Sequence, residues 1–326
     1  IEQIADQPGW DTIDMVVHKN AAGEKRRYSS KPPLLATLIA GEYWLIHKAT
    51  GATLETHPYT IGRTLLFTVN VLPLLLAYFF LAKIVERLST NDWSRLFAMA
   101  VFTLGTFVNT FAVVINNHLP AVVCVVLSLY PTIRIAWDGE RRLRYFAAAG
   151  FFAAFAATNE LPAASYFGLL GLYLLWKAPK QTLVAGVPAA LLVGAAFFAT
   201  NYAAHQSLRP PYMHRSVTDP DDNWYDYTYV DGHGRQRESY WKEGNKTGMD
   251  LGEPSVALYA WHLTFGHHGV FSLTPVWLLS AVGLALGLAS SDRRWRELSA
   301  IIAVLSLICM LFYIFRPLED RNYGGL

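Results

Sequence analysis

Three short polar clusters interrupt the apolar runs of this 326-residue chain: Asn116-Asn117-His118, Asn159-Glu160, and Arg316 with Glu319, Asp320 and Arg321. Ionisable groups beside long apolar segments are costly to desolvate and tend to face a protein or water-filled cavity. Glu160 has the sharpest position, between two apolar segments of half span length and just before Leu161-Pro162. A carboxylate there suits the floor of an outward-facing active site, or else a helix-turn cap beside Pro162 that satisfies backbone amides. Asn116, His118 and Asn159 are its companion candidates as substrate contacts. Arg316, Arg321 and Lys31 suggest anion recognition, because a guanidinium fork matches phosphate geometry. A phosphate at a membrane surface usually belongs to a lipid head group. Plain interfacial anchoring by Arg and Lys is the competing reading.

Other chemistries find less support. His262, His267 and His268 match no metalloprotease helix spacing. Asp219, Asp221, Asp222 and Asp226 lack the ordered spacing of a calcium loop, so no metal ligand is assigned. There is no Gly-x-Ser-x-Gly and no Gly-x4-Gly-Lys-Ser/Thr. Cys124 and Cys309 both sit in apolar runs and read as buried thiols acting as small hydrophobes. A formal charge of +2 argues against a nucleic-acid partner.

These residues need a scaffold, and composition names the solvent. Hydrophobic residues are 53% of the chain and charged ones only 16%, against about 25% in a soluble domain. A bilayer span needs roughly 20 mostly apolar residues, and about eight runs qualify: 62–85, 95–115, 119–137, 143–158, 161–176, 181–202, 270–290 and 297–315. Every second connection is basic: Lys83, Arg87 and Arg95; Arg141, Arg142 and Arg144; Lys177 and Lys180; Arg293, Arg294 and Arg296. The positive-inside rule puts those connections in the cytoplasm. Residues 1–57, both Asn-containing turns, the stretch 203–269 and the C-terminal tail then face away from it. The fold class expected is an all-α polytopic membrane protein of the cell inner (plasma) membrane, with the bilayer as partner and a small outer-face hairpin.

Four regions follow. Residues 1–57 form a first outer loop, 58–202 a core of six spans, 203–269 an aromatic outer loop, and 270–326 the last two spans and an outer tail. In the first loop, Thr12–His18 and Lys25–Tyr28 read as paired strands around Ala21-Ala22-Gly23. Leu34–Lys48 and Tyr259–His268 read as interfacial helices. Trp224, Tyr225, Tyr227, Tyr229, Tyr240 and Trp241 are many aromatics for a polar loop. They suit stacking on sugar rings, or an interfacial belt and a loop core.

The segment Tyr28-Ser29-Ser30-Lys31-Pro32-Pro33-Leu34-Leu35, followed by an interfacial helix, is similar to the aromatic–Lys–Pro–Pro–Leu stretch of the GT-C superfamily of polytopic glycosyltransferases. The likeness is to its protein O-mannosyltransferase and lipid A aminoarabinose transferase branch. Arg321-Asn322-Tyr323-Gly324-Gly325 after the last span resembles the Tyr-Gly-Gly stretch of many bacterial members. The short helices around Thr158–Pro162 are a third likeness.

That resemblance implies inverting transfer from a polyprenyl-phosphate-linked sugar, at the outer membrane face, to a lipid, glycan or protein acceptor. A carboxylate in the first outer loop would be the general base. Basic groups would stabilise the departing phosphate, and Lys31, Arg321 and Tyr323 are the positions carried over. The family's acidic motif and first span fall upstream of Ile1, so the chain reads as a fragment, with Asp11 as the stand-in base among Asp6, Asp11 and Asp14. Members differ in needing a divalent cation, which leaves that cofactor open. A transporter or flippase for a lipid-linked or small anionic substrate is the alternative, with half-helices around Asn159-Glu160 as its site. The two halves of the chain show no repeat that would favour it. A non-enzymatic assembly or scaffold protein is the third reading.

Overall fold

A computed structural model describes residues 3–4, 8, 12–216, 218–242 and 244–322. The chain divides into two compact units: residues 1–38 with 195–251, and residues 39–194 with 252–326.

The first unit carries the small sheets. Strand β1 (Gln3–Ile4) pairs with β3 (Lys25–Ser29), which pairs with β2 (Met15–Lys19), all antiparallel. The β2–β3 hairpin is the one the sequence implies. Asn20 makes its turn by accepting from the amides of Ala22 and Glu24 at 3.0 Å each, and Gly23 takes the left-handed conformation at φ 79°. Alternation along β2 decides what packs where. Met15 and Val17 meet Tyr227 and Tyr229, while Val16 meets Tyr28, Trp224 and Tyr225. A second hairpin, β4 (Thr228–Val230) with β5 (Gln236–Glu238), carries Tyr229, with Tyr227 just before it.

The remaining structure is helical: α1 (Pro33–Thr50), α2 (Pro58–Leu88), α3 (Asp92–Leu104), α4 (Val108–Ala112), α5 (His118–Asp138), α6 (Leu143–Asn159), α7 (Ala163–Lys177), α8 (Pro179–His205), α9 (Val256–Thr264), α10 (Val270–Leu273), α11 (Trp277–Leu288) and α12 (Arg293–Ile314). Among the described residues, four are long and apolar enough to cross a membrane: α2, α5, α8 and α12. They match the expected runs at 62–85, 119–137, 181–202 and 297–315. The apolar stretch of α5 is 67% buried, whereas that of α12 is only 6% buried, so α12 presents hydrocarbon outward.

The other four expected spans are shorter helices, and each has a local cause. The run 95–115 breaks at Gly105-Thr106-Phe107 into α3 and α4. Side-chain amides satisfy the exposed carbonyls there: Asn109 donates to Thr103 at 2.6 Å, and buried Asn70 donates to Val114 at 2.8 Å. Asn70 can reach because α2 has a wide π turn at Phe67–Val71, just before Pro73, which relaxes the ladder where proline removes a donor. The run 270–290 is interrupted by Thr274-Pro275 between α10 and α11. Helices α6 and α7 have 17 and 15 residues, about 25 Å and 22 Å long, short of the roughly 30 Å hydrocarbon core. The helix expected over Tyr259–His268 is α9, which stops before Phe265-Gly266 because the chain turns back against His262 there.

Small residues set how closely helices approach. Buried Ala149, Gly150, Ala153 and Ala156 line one face of α6. A Cβ on Gly150 would lie 2.2 Å from the carbonyl oxygen of Gly186, on the π turn of α8. Close backbone contact of this kind replaces hydrophobic driving force inside a membrane. Gly150→Ala is expected to destabilise the protein by about 1–3 kcal/mol through overpacking against backbone. Gly168→Ala, where a Cβ meets nothing within 4 Å, should leave stability nearly unchanged. Thermal unfolding of the two variants in the same detergent compares them directly, and equal midpoints would contradict the packing argument.

Candidate functional site

In the second unit the start of α5 meets the end of α6, and the end of α12 lies within electrostatic reach of that junction. Helix α5 starts at His118, α6 ends at Asn159, and α12 ends at Ile314. Glu160 follows α6 in extended conformation, and its carboxylate turns toward the start of α5. Asn117 donates its amide to Glu160 Oε1 at 2.5 Å and to the Asn159 carbonyl at 2.9 Å, and His118 Nδ1 lies 2.6 Å from Glu160 Oε1. No backbone amide among the described residues donates to the Glu160 side chain, so its partners are side chains of another helix. A carboxylate accepts, so His118 Nδ1 carries the proton that points at Glu160 and Nε2 is the ring nitrogen turned away from it. The Glu160 side chain keeps 27% of its surface and that of His118 48%, which leaves the pair open on one side.

Tyr313, near the end of α12, is close enough to Glu160 and Arg316 for their charges to act on it. The Arg316 guanidinium stands 4.9 Å over the Tyr313 ring and 5.2 Å over that of Phe312. It has no carboxylate partner among the described residues. Tyr259 of α9 adds a hydroxyl that donates to the Asn322 carbonyl at 3.2 Å and lies within the field of Arg316 and Arg321. The result is one carboxylate, one imidazole, two tyrosines and an uncommitted guanidinium at one end of the helices.

Other sequence candidates have different surroundings. Asn116 is a local brace: it donates to the Phe111 and Val114 carbonyls at 2.8 and 2.6 Å, and its oxygen caps the amide of Leu119 at 2.9 Å. The Asn159 side chain is buried and donates to the Phe155 carbonyl at 2.8 Å. Arg321 spends its donors on the carbonyls of Arg316, Glu253 and Pro254, at 2.9, 3.1 and 3.0 Å. That binds the tail after α12 to the segment before α9. Lys31 lies in the first unit, half exposed and 3.4 Å from Asp14. Asp11 and Tyr323 lie outside the described residues.

Sequence reasoning missed Tyr313 and Tyr259 and left Asn117 out of the site. Tyr313 precedes Arg316 by three positions at the end of α12, the spacing of helical neighbours, but a tyrosine at a span end reads first as part of an interfacial belt.

The aromatic loop has a structural role. Trp224, Tyr225, Tyr227 and Tyr229 are each less than 9% exposed and form the two faces of the first unit's core, so they are not free to stack on sugars. Trp224 also lies between two imidazoles, with His18 at 4.0 Å and His214 at 3.6 Å between ring centroids. Ser207, His214 and Asp222 form a hydrogen-bonded chain, at 3.1 Å and 2.6 Å, in the order of a serine nucleophile's triad. Trp224 covers the His214 ring and Arg209 engages Asp222 at 2.7 Å, which makes the chain a staple of the loop. No group of three or more His, Cys, Asp or Glu residues able to hold a metal ion occurs among the described residues.

The opposite helix ends are basic. Asp138 at the end of α5 pairs with Arg134 at 2.7 Å and with Arg87 of α2. Glu297 of α12 holds Lys177 and Arg293 at 2.7 Å each and accepts from Tyr173 at 2.9 Å. The alternation of basic and polar connections in the sequence is therefore a real division between two ends of the helices.

Comparison with known proteins found no matching family model, curated protein or solved structure.

One carboxylate of the first unit makes a pH prediction. Asp231 is buried at the β4–β5 turn, where backbone amides of Arg235 and His233 and the Arg237 and Arg235 guanidiniums hold its carboxyl well below the ordinary range. A depressed folded-state value stabilises the fold above the unfolded value, near 3.9. That stabilisation is lost as pH falls below it. Acid titration followed by tryptophan fluorescence should show the first unit loosening below about pH 4. Asp231→Asn should be less stable at neutral pH and lose much of that acid response. An unchanged titration in the variant would show that the acid response arises elsewhere.

Proposed function

We propose that this chain is a membrane glycosyltransferase that crosses the bilayer about eight times and transfers a sugar, with inversion, from a polyprenyl-phosphate donor to an acceptor at the non-cytoplasmic face. The observation that carries the reading is the Glu160–His118 pair, held by Asn117 and facing the same end as Arg316. An imidazole whose Nδ1 is fixed by a carboxylate presents Nε2 to a hydroxyl, either to orient it or, when that nitrogen is unprotonated, to take its proton as the glycosidic bond forms. Arg316 supplies the counter-charge a departing polyprenyl phosphate needs. The basic opposite end supports the orientation, because arginines and lysines near spans favour the cytoplasm. The short helices α3, α6, α7 and α11 then complete the spans where neighbouring protein shields their ends. The resemblance through Lys31-Pro32-Pro33 and Arg321-Asn322-Tyr323-Gly324-Gly325 gives the donor class.

Transfer from a polyprenyl-phosphate sugar in reconstituted vesicles tests this. Glu160→Gln and His118→Ala should each lower kcat by roughly 100-fold, the usual worth of positioned proton transfer. Donor KM should change little, and thermal stability should stay near that of the parent. Arg316→Gln should raise donor KM and lower kcat together. Full activity in Glu160→Gln would remove the pair from the chemistry. Donor movement across the vesicle without sugar transfer, sensitive to the same variants, would favour a flippase.

A further inference from the structure

We infer that the basic end of the second unit is a binding site for an anionic glycerophospholipid. Its acyl chain runs along the outside of the shallow apolar cleft between α5, α7 and α12, and its phosphate meets the arginines where those helices end. The inference rests on the bilayer reading and not on the transferase chemistry.

The cleft is lined by Leu129, Ile133 and Trp137 of α5, Leu170 of α7, and Leu298 and Ile301 of α12, with Tyr166 and Tyr173 along it. Both tyrosine hydroxyls already have partners. Tyr166 shares a hydrogen bond with Ser128 at 2.7 Å, and Tyr173 donates to Glu297 at 2.9 Å. Polar groups already satisfied by protein leave an apolar lining, which suits hydrocarbon and is a poor site for a sugar or nucleotide.

The mouth of the cleft is built differently. Lys177 and Arg293 share one carboxylate, Glu297, and both stand over the exposed Trp176 ring, at 4.4 Å and 5.4 Å. Trp137, which lines the cleft, packs edge-on against Trp295 at 5.5 Å. On either side of Trp295, Arg294 and Arg296 have no carboxylate partner among the described residues, and neither does Arg144 at the start of α6. Two tryptophans at the depth where basic groups gather mark a headgroup level. Basic pockets between membrane helices on the cytoplasmic side recognise anionic headgroups. The polyprenyl donor is not the occupant: Glu160 and Asn117 lie at the far end of α5, whose 21 residues span about 30 Å.

Native mass spectrometry of the full chain in detergent, titrated with dioleoyl phosphatidylglycerol or dioleoyl phosphatidylcholine, tests the site. Two arginine contacts predict a preference for phosphatidylglycerol of roughly thirtyfold. Arg294→Gln with Arg296→Gln should reduce it to nearly none. Ala136→Phe, which fills the cleft, should weaken retention of both lipids. Lys19→Gln with Lys25→Gln, which removes two exposed charges from the first unit, should leave the preference unchanged. Equal retention of the two lipids by the parent protein would overturn the inference. A preference that survives loss of Arg294 and Arg296, or falls equally with Lys19 and Lys25, would do the same. An intact lipid preference in a protein without transferase activity would refute only the proposed function.

Discussion

The Glu160 carboxylate is an acceptor set among helix ends that supply few donors, and the start of α5 is what satisfies it. Asn117 and His118 both donate to Glu160, and Asn117 also closes the end of α6 through the Asn159 carbonyl. The two helices are therefore fastened together around the Glu160 carboxylate. The same contact thus braces the α5–α6 pair and orients the imidazole. At the other end of α5, Arg134 and Arg87 hold Asp138. The most buried long helix is pinned at both ends, and its chemistry differs between them.

Between those ends the helices are held by shape. Gly150 and Gly186 bring two backbones into contact, and Asn70, freed by a π turn, satisfies carbonyls exposed where the run 95–115 breaks. Departures from regular helix fall where a proline or a polar side chain requires them. They shorten α3 and α11 and leave α6 and α7 as a close pair, with the Asn159-Glu160 junction between them and exposed to one end. A longer, uninterrupted α6 would carry Glu160 past the donors on α5.

Much of this was legible in the sequence. The hairpin around Asn20–Gly23 has turn chemistry that acts over four residues, and the long apolar runs at 62–85, 119–137, 181–202 and 297–315 are decided by composition alone. The grouping of His118 with Glu160 was legible only as a shared depth, inferred from the alternation of basic connections. Hydropathy could not show that 95–115 would break, because Gly105 and Asn109 hardly alter a window average while Asn70 acts from another helix. It also could not separate core aromatics from ligand-stacking ones. Trp224, Tyr227 and Tyr229 are buried because β2 offers alternating Met15, Val16 and Val17, and that pairing lies more than 200 positions away in the chain.

The division of labour between the units follows from which groups are already committed. In the first unit the charged and aromatic side chains of the loop are largely consumed by one another: Asp231 by two arginines and two amides, Asp222 by Arg209 and His214, and the indole of Trp224 by two imidazoles. Such a network specifies one loop conformation and leaves little to offer a ligand. In the second unit, among the described residues, His118 Nε2 has no hydrogen-bond partner and Arg316 no carboxylate at one end, while at the other Arg294 and Arg296 have no carboxylate, although Arg296 donates to the Ser290 carbonyl at 3.2 Å. Charged and polar groups without a carboxylate or hydrogen-bond partner of their own are the ones a substrate or lipid can still engage. On the two readings proposed above, the basic and polar ends of α5 answer to two anions of different origin, one brought as a reactant and one present in the surrounding leaflet.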